Sequence, residues 1–220
     1  MDKKQMRNLV AQRVAQELNT GDLVNLGIGM PTLVAGFVDP DKHIVFQSEN
    51  GMVGIAGSPE EGQEDWELTD AGGSPKTAIE GAAYFDSSLS FSLIRGGHVD
   101  ATVLGAMEVD RNGNLANYMI PKKLIAGMGG AMDLVSGAKR VIIMMDHCNK
   151  HGESKILDEC TLPLTAKGQV NLIITDLAVI EVVPEGLLLK EVAPHSSIEE
   201  VIQKTATELI IPTNVVTFGA

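Results

Sequence analysis

The sequence predicts an α/β protein in which one open, mostly parallel or mixed sheet is flanked by helices, with residues 1–220 forming a single domain. Three observations carry this reading. Short apolar runs that read as buried strands alternate with turns and helical stretches along most of the chain. Composition agrees: 44% hydrophobic residues, 23 glycines and only 4% aromatics suit small branched side chains and tight turns. An antiparallel hairpin near the C-terminus makes the sheet mixed.

Met6, Leu9, Val10, Val14 and Leu18 recur at helical spacing, so residues 5–18 form an amphipathic helix. Asn19-Thr20-Gly21-Asp22 ends it. Residues 23–26 are then a strand, Gly27-Ile28-Gly29-Met30-Pro31-Thr32 a turn, and a short helix runs to about Val38. The next strand, His43-Ile44-Val45-Phe46-Gln47, delivers Ser48-Glu49-Asn50-Gly51. Residues 52–80 are rich in glycine and acid with little periodicity, and no element is assigned there. Residues 101–104 and 141–145 are further buried strands. Between them, the turn Asp110-Arg111-Asn112-Gly113 precedes a hairpin over 114–123, and a helix containing Leu134 and Val135 follows Gly127-Met128-Gly129-Gly130-Ala131-Met132-Asp133. Residues 170–174 and 177–182 are strands, the second turning through Val183-Pro184-Glu185-Gly186 into 187–192. Ser196-Ser197-Ile198-Glu199 has capping-box form and opens a helix through about Leu209.

A formal charge of −12 argues against nucleic acid, because counterion release needs clustered Lys and Arg. Much of the acidity sits at residues 60–67, expected in a solvated loop with no assigned role. An anionic substrate needs a local positive field, for which Arg95, Lys122, Lys123 and groups of a partner chain are candidates. No apolar stretch approaches the about 20 residues that span a membrane. Met1-Asp2-Lys3-Lys4-Gln5 leads into a charged helix rather than a signal-peptide core. Cys148 and Cys160 form neither a CxxC pair nor a disulfide framework, so a cytoplasmic setting is expected.

Glu49 is the most informative residue. A carboxylate where a strand gives way to a glycine turn is fixed in position and partly desolvated, as a nucleophile requires. Read alone, it is more often a loop acid beside an Asn-Gly turn. Gly27 and Gly29 lie between a strand and a helix, but a dinucleotide fingerprint lacks its third glycine, and Pro31 occupies that neighbourhood. Their expected role is close backbone approach beside Glu49, with a helix N-terminus favouring an anion. The amides around Gly129 and Gly130 suit a developing oxyanion, or simply a tight loop. His98 and Asp100, after Gly96-Gly97, read as local hydrogen-bonding groups before an acid/base pair. Asn117 reads as structural. His147, Cys148 and His151 are metal-capable, but neighbours on an extended segment point apart, and no metal site is expected.

Phe46-Gln47-Ser48-Glu49-Asn50-Gly51-Met52-Val53-Gly54 resembles the signature of the family I CoA-transferases, in the β-subunit class of the 3-oxoacid enzymes. Residues 26–32, 96–105, 114–121, 127–134 and Cys160-Thr161-Leu162-Pro163-Leu164-Thr165 resemble the same subunit in the same order. The resemblance covers nearly the whole chain, weakest at 55–75 and in the last ten residues.

That resemblance implies a CoA-transferase-like fold and a double displacement that moves CoA between a 3-oxoacid such as acetoacetate and another short carboxylic acid. Glu49 matches the family's nucleophile and would form a glutamyl-CoA thioester. Gly129 and Gly130 match its oxyanion loop, while Asn50, Gly51, Gly27 and Gly29 shape the site. Coenzyme A is then substrate and transient covalent group, with no metal and no permanently bound cofactor. Nothing here matches the Gly-Gly-Phe pattern of the family's other half, and the chain stops at Ala220. The resemblance therefore implies an α-subunit partner in a heterotetramer. An acyl-CoA hydrolase on the same fold, a non-catalytic partner-binding subunit and a sugar-phosphate isomerase are the rival readings.

Overall fold

The computed structural model of the protein describes residues 1–219, apart from the side chain of residue 124. An eleven-stranded mixed sheet organises them. Its strands in chain order are β1 (Leu23–Leu26), β2 (Val45–Ser48), β3 (Met52–Ile55), β4 (Ala78–Tyr84), β5 (Ala101–Leu104), β6 (Arg140–Met145), β7 (Leu172–Thr175), β8 (Ala178–Val183), β9 (Gly186–Val192), β10 (Leu209–Ile210) and β11 (Val216–Thr217). Across the sheet they run β10-β9-β8-β7-β6-β5-β1-β2-β3-β4, and β11 also pairs with β9. The central five, β7, β6, β5, β1 and β2, are parallel, so their carboxyl ends share one rim. Antiparallel strands extend the sheet at both ends.

Parallel strands must be covered on both faces, which is why their sequences are continuous apolar runs. All four residues of β5 and of β7 are buried. On one face, α1 (Lys3–Gln16) packs Val10, Val14 and the following Leu18 against Val24, Val103, Ile142 and Ile174. On the other, α2 (Ser87–Arg95), α3 (Ala131–Gly137) and α4 (Ile198–Lys204) set Ile94, Leu134, Val135 and Val201 among Leu104, Val141, Ile143 and Ile180. Val141 and Ile142 thus belong to opposite cores, as strand alternation requires. No helix among the described residues is long and apolar enough to cross a membrane.

Several elements differ from the sequence expectation. α1 starts at Lys3 because Asp2 and Gln5 close a capping box, at 2.7 and 2.9 Å. The turn after Gly29 opens a 3-10 helix, Met30–Phe37, with Pro31 in its first turn. Residues 52–80, where periodicity assigns no element, contain β3 and the start of β4. β4 has no buried position and hence no alternation to read. α2 is likewise absent from the sequence expectation, since its serines obscure the apolar stripe, although Asp86 caps it. α4 ends at Lys204 rather than near Leu209. The Thr205 hydroxyl donates to the Val201 carbonyl at 2.7 Å, and Leu209–Ile210 pair with β9 instead. The cap of α4 is Ser197, one residue later than expected. The hairpin expected over 114–123 is two: Glu108–Asp110 with Leu115–Ala116, and Met119–Ile120 with Leu124–Ile125. The acidic segment 60–67 is exposed throughout, as expected.

Polar ties fasten α1 to the sheet. Arg13, only 7% exposed, donates to both carboxylate oxygens of Glu191 at 2.7 and 2.6 Å and pairs with Glu17 at 2.8 Å. Arg140 pairs with Glu17 at 2.7 Å. Removing one partner strands the others' charge in the interior. Arg13→Ala is expected to cost about 3–5 kcal/mol, read as a lower urea midpoint at an unchanged m-value.

His147 is fully buried between the hydroxyls of Thr175 and Thr205, at 2.9 and 3.0 Å. Thr205 already donates to Val201, so it accepts from His147 Nε2, while the Thr175 hydroxyl lies between Nδ1 and the Ala178 carbonyl, which is 3.3 Å away. Burial, followed by the charges of Lys204 and Lys155, lowers its pKa to about 4. The unfolded state therefore binds the extra proton between about pH 6.5 and 4. His147's contribution is present above that window and lost as pH falls through it, about 3 kcal/mol in all. Chemical denaturation from pH 7.5 to 4.5 is expected to show this acid limb, and His147→Gln to flatten it.

Candidate active site

Glu49 follows β2 at the carboxyl rim, in the link of Glu49, Asn50 and Gly51 that joins β2 to antiparallel β3. The link is tight because Gly51 adopts φ +129° and abuts the chain before α2. A side chain there would collide with the Phe85 carbonyl oxygen, and Phe85 N–H donates to the Gly51 carbonyl at 2.9 Å. Asn50 is exposed. Its amide nitrogen donates to the Thr69 carbonyl at 2.8 Å, and Ser48 Oγ accepts from Ala71 N–H at 3.0 Å. The segment without periodicity therefore clamps the outer side of this turn.

Beneath Glu49 lies a buried polar row. Gln47, Asn25 and Thr102 are cross-strand neighbours on β2, β1 and β5, all but fully buried. Asn25 Nδ2 donates to Glu49 Oε2 at 3.1 Å and to Gln47 Oε1 at 2.8 Å. Gln47 Nε2 continues to Ser90 Oγ on α2 at 2.9 Å. The amide orientation of Asn25 is dictated by its partners, since both are acceptors. Its Oδ1 and the Thr102 hydroxyl have no partner among the described residues. Such groups cost about 1–3 kcal/mol each. Sequence reasoning missed this row, yet Asn25 and Gln47 stand out as polar residues inside runs that read as buried strands.

Gly130 caps α3 without a side-chain bond and is buried against Glu49. A Cβ there would lie 3.3 Å from both Glu49 Cγ and Phe91 Cζ, tighter than ordinary contact, so any side chain at this position would press on the stem of Glu49. Gly129, just before it, is exposed. Gly27 returns its N–H to the Val103 carbonyl at 2.8 Å, and Gly29 is exposed at the head of the 3-10 helix. Glu49, Gly130, Gly27 and Gly29 thus occupy neighbouring parts of one rim, the side where open α/β sheets bind ligands.

The other candidates are either engaged in structural contacts or exposed away from Glu49's polar row. Asp100 accepts from Leu23 N–H at 2.8 Å and Lys139 Nζ at 2.7 Å, and the lysine contact holds its pKa below the usual carboxylate range. His98 is exposed. Asn117 bonds Gly105 and Thr165. Arg95 is paired with Asp133 at 2.7 Å, so its charge is largely offset. Lys122 and Lys123 are exposed in a turn. Burial raises the Cys148 thiol pKa and takes Cys160, beside Asp110 and Glu108, to about 12, the opposite of an activated thiol. Among the described residues, no three His, Cys, Asp or Glu side chains form a metal-capable group.

The chain matches known proteins over nearly all its length. Residues 7–204 match the profile of the family described as Coenzyme A transferase. It is 55% identical over 203 residues to one of the subunits of succinyl-CoA:3-ketoacid coenzyme A transferase from Helicobacter pylori, covering 92% of this chain and 98% of that one. It is 52% identical over 206 residues to the beta chain of acetate CoA-transferase from Haemophilus influenzae, covering 93% and 92%. The fold superposes on an acyl-CoA transferase from Escherichia coli O157:H7 with a TM-score of 0.79 at 21% identity, covering 96% of this chain and 43% of that one. The E. coli chain is therefore more than twice as long as the part shared. The family match and these subunit-level identities bear out the resemblance read from Phe46–Gly54 and its companion segments, and the chain belongs to the coenzyme A transferase family.

Proposed function

We propose that this chain is the nucleophile-bearing β subunit of a 3-oxoacid CoA-transferase, with Glu49 as the nucleophile. The observation that carries the reading is the Glu49 carboxylate held by Asn25 and packed against Gly130 at the carboxyl rim. Glu49 attacks the thioester carbonyl of an acyl-CoA, forming an acyl-glutamyl anhydride as the C–S bond breaks and CoA thiolate departs. The thiolate attacks the glutamyl carbonyl and expels the acyl group as a carboxylate. This leaves a Glu49–CoA thioester, and an incoming carboxylate reverses both steps. The negative charge passes from Glu49 to the departing CoA thiolate and then to the expelled carboxylate, so no net proton transfer is required. Both additions pass through an oxyanion, for which the amides at Gly129 and Gly130 are the donors in this scheme.

A carboxylate is a weak nucleophile in water, so CoA binding energy far from the reacting carbon must be used to desolvate and align it. Asn25 contributes alignment by fixing one carboxylate oxygen and leaving the other for attack. Glu49 is only half-buried, and the neighbouring edge strand β4 exposes Ile79 and Tyr84, at 47% and 60%. An α subunit completes the acyl pocket against this edge, in a heterotetramer of two α and two β chains. Coenzyme A is substrate and carrier, a 3-oxoacid such as acetoacetate and a second short acid are the exchange partners, and the setting is the cytosol.

With the partner subunit present, acetoacetyl-CoA and no acceptor, trapping with hydroxylamine or borohydride followed by peptide mass spectrometry is expected to modify Glu49 alone. Glu49→Ala is expected to abolish exchange in the assembled complex, and Glu49→Asp to reduce it severely. Normal turnover by Glu49→Ala would leave only a scaffold role. Product formation without an acceptor acid would point to hydrolysis.

Asn25→Ala is expected to lower kcat about 10- to 100-fold with little change in KM for acyl-CoA, since it removes alignment rather than substrate binding. Steady-state kinetics in both substrates check this.

A further inference from the structure

The polar row beneath Glu49 closes into a ring of contacts. Asn25 and Gln47 stand opposite each other on β1 and β2. Asn25 Nδ2 carries two hydrogens that diverge within the amide plane. One points to Glu49 Oε2 at 3.1 Å and the other to Gln47 Oε1 at 2.8 Å. The main-chain carbonyl of Gln47 lies 3.3 Å from the same nitrogen, longer than a strong amide hydrogen bond. Two divergent acceptors fix the plane of an amide, whereas one leaves it to swivel on a broad terminal torsion. Gln47 has the same freedom, and Ser90 removes it: Gln47 Nε2 donates to Ser90 Oγ at 2.9 Å. Gln47 is 2% exposed and Ser90 fully buried. Ser90 belongs to α2, and Phe85, just before that helix, donates its N–H to the Gly51 carbonyl. The turn that carries Glu49 is therefore tied to α2 on both sides, through side chains at Gln47 and through backbone at Gly51.

Resting on the reaction proposed above, we infer that Gln47 is a positioning residue, setting the plane of the Asn25 amide so that Asn25 holds Glu49 for attack on the thioester. Stability alone does not call for the ring. Buried polar groups in mutual hydrogen bonds contribute little net, and apolar side chains of the same shape would serve a sheet core about as well. What the bonds do is remove the freedom of the one amide that touches the carboxylate. Without the Gln47 acceptor, Asn25 can turn its Oδ1 toward Glu49, and two acceptors then face each other. Gln47 forms no hydrogen bond with Glu49 among the described residues, so its influence runs through Asn25.

The test uses the assembled enzyme as wild type, Gln47→Met, Asn25→Ala and the double variant. Methionine keeps the unbranched shape of glutamine without its polar atoms, so the fold is retained. Gln47→Met is expected to lower kcat about fivefold or more, while KM for acetoacetyl-CoA changes less than about twofold. In the Asn25→Ala background the same substitution is expected to change kcat less than about twofold, because the group it acts through is gone. A smaller loss in Gln47→Met, an equal loss with and without Asn25, or a raised KM in place of the lowered kcat would overturn the inference. Should Gln47→Met fail to assemble, Ser90→Ala decides, since it takes only the anchor of Gln47. A fall in kcat of about twofold or more that vanishes in the Asn25→Ala background supports the inference, and any other result overturns it. Should the wild-type complex transfer nothing, the proposed reaction fails instead. Crystal structures of the wild-type and Gln47→Met complexes then still read the positioning: an Asn25 amide turned off Glu49 in the variant supports it, and an unchanged contact overturns it.

Discussion

The Asn25 amide, buried midway across the sheet, is the contact on which the arrangement at the rim depends. It reaches Glu49 only because β1 and β2 are parallel neighbours in a register that sets Asn25 opposite Gln47. A shift of one residue would turn Asn25 toward the α1 face and put an apolar side chain under the carboxylate. That register is enforced by Val24 and Leu26, which must face the α1 core. Hydrophobic burial on one face therefore positions a polar group on the other. Asn25 Oδ1 and the Thr102 hydroxyl, without a partner among the described residues, are a stability cost that a purely structural sheet would avoid.

How much of this could be read from the sequence follows from where each element buries its side chains. β5, β6 and β7 are legible because they are covered on both faces, and α1 because it presents one stripe to the sheet. β4 is not, because its side chains find no core within this chain. Gly54 and Gly81, both at positive φ, further interrupt the β3–β4 pattern. α2 hides behind its serines, although Ser90 is one of its buried residues and ends the polar row from Glu49. The end of α4 is overrun because nothing local announces it. The Thr205 hydroxyl bonds back to Val201 while receiving His147 from the loop after β6, a long-range contact. At the site, Glu49 and the glycines are visible as a motif. Their support is not, since a polar residue inside an apolar run reads as a blemish until its neighbours are known.

Charge shows the same division. The acidic total leaves open how the anionic substrate of the proposed reaction is drawn in, and Arg95, Lys122 and Lys123 prove exposed or offset. The cations that converge are Lys3 and Arg7 in the first turns of α1 and Lys150 and Lys155 in a loop about 140 residues later, which line one cavity. Their meeting is a product of topology: α1 runs antiparallel to β1, so its N-terminus arrives at the carboxyl rim. Segments far apart in sequence are thereby brought together, on the α1 face of the sheet rather than the face of the Glu49 row.

This arrangement also bears on the proposal that the reaction is divided between two chains. The carboxyl rim supplies a fixed carboxylate and a glycine approach, but it is one wall. In the proposed reaction the nucleophile gains reactivity from losing water, and Glu49 is half-exposed. Burying it permanently would unbalance the fold, because an unpaired interior carboxylate is taken up as a proton or as instability. Leaving it at a rim next to an uncovered edge strand lets desolvation come with assembly and substrate. Under the proposed reaction, the folding of this chain is separated from the activation of Glu49, and the exposed side chains of β4 are the structural counterpart of that separation.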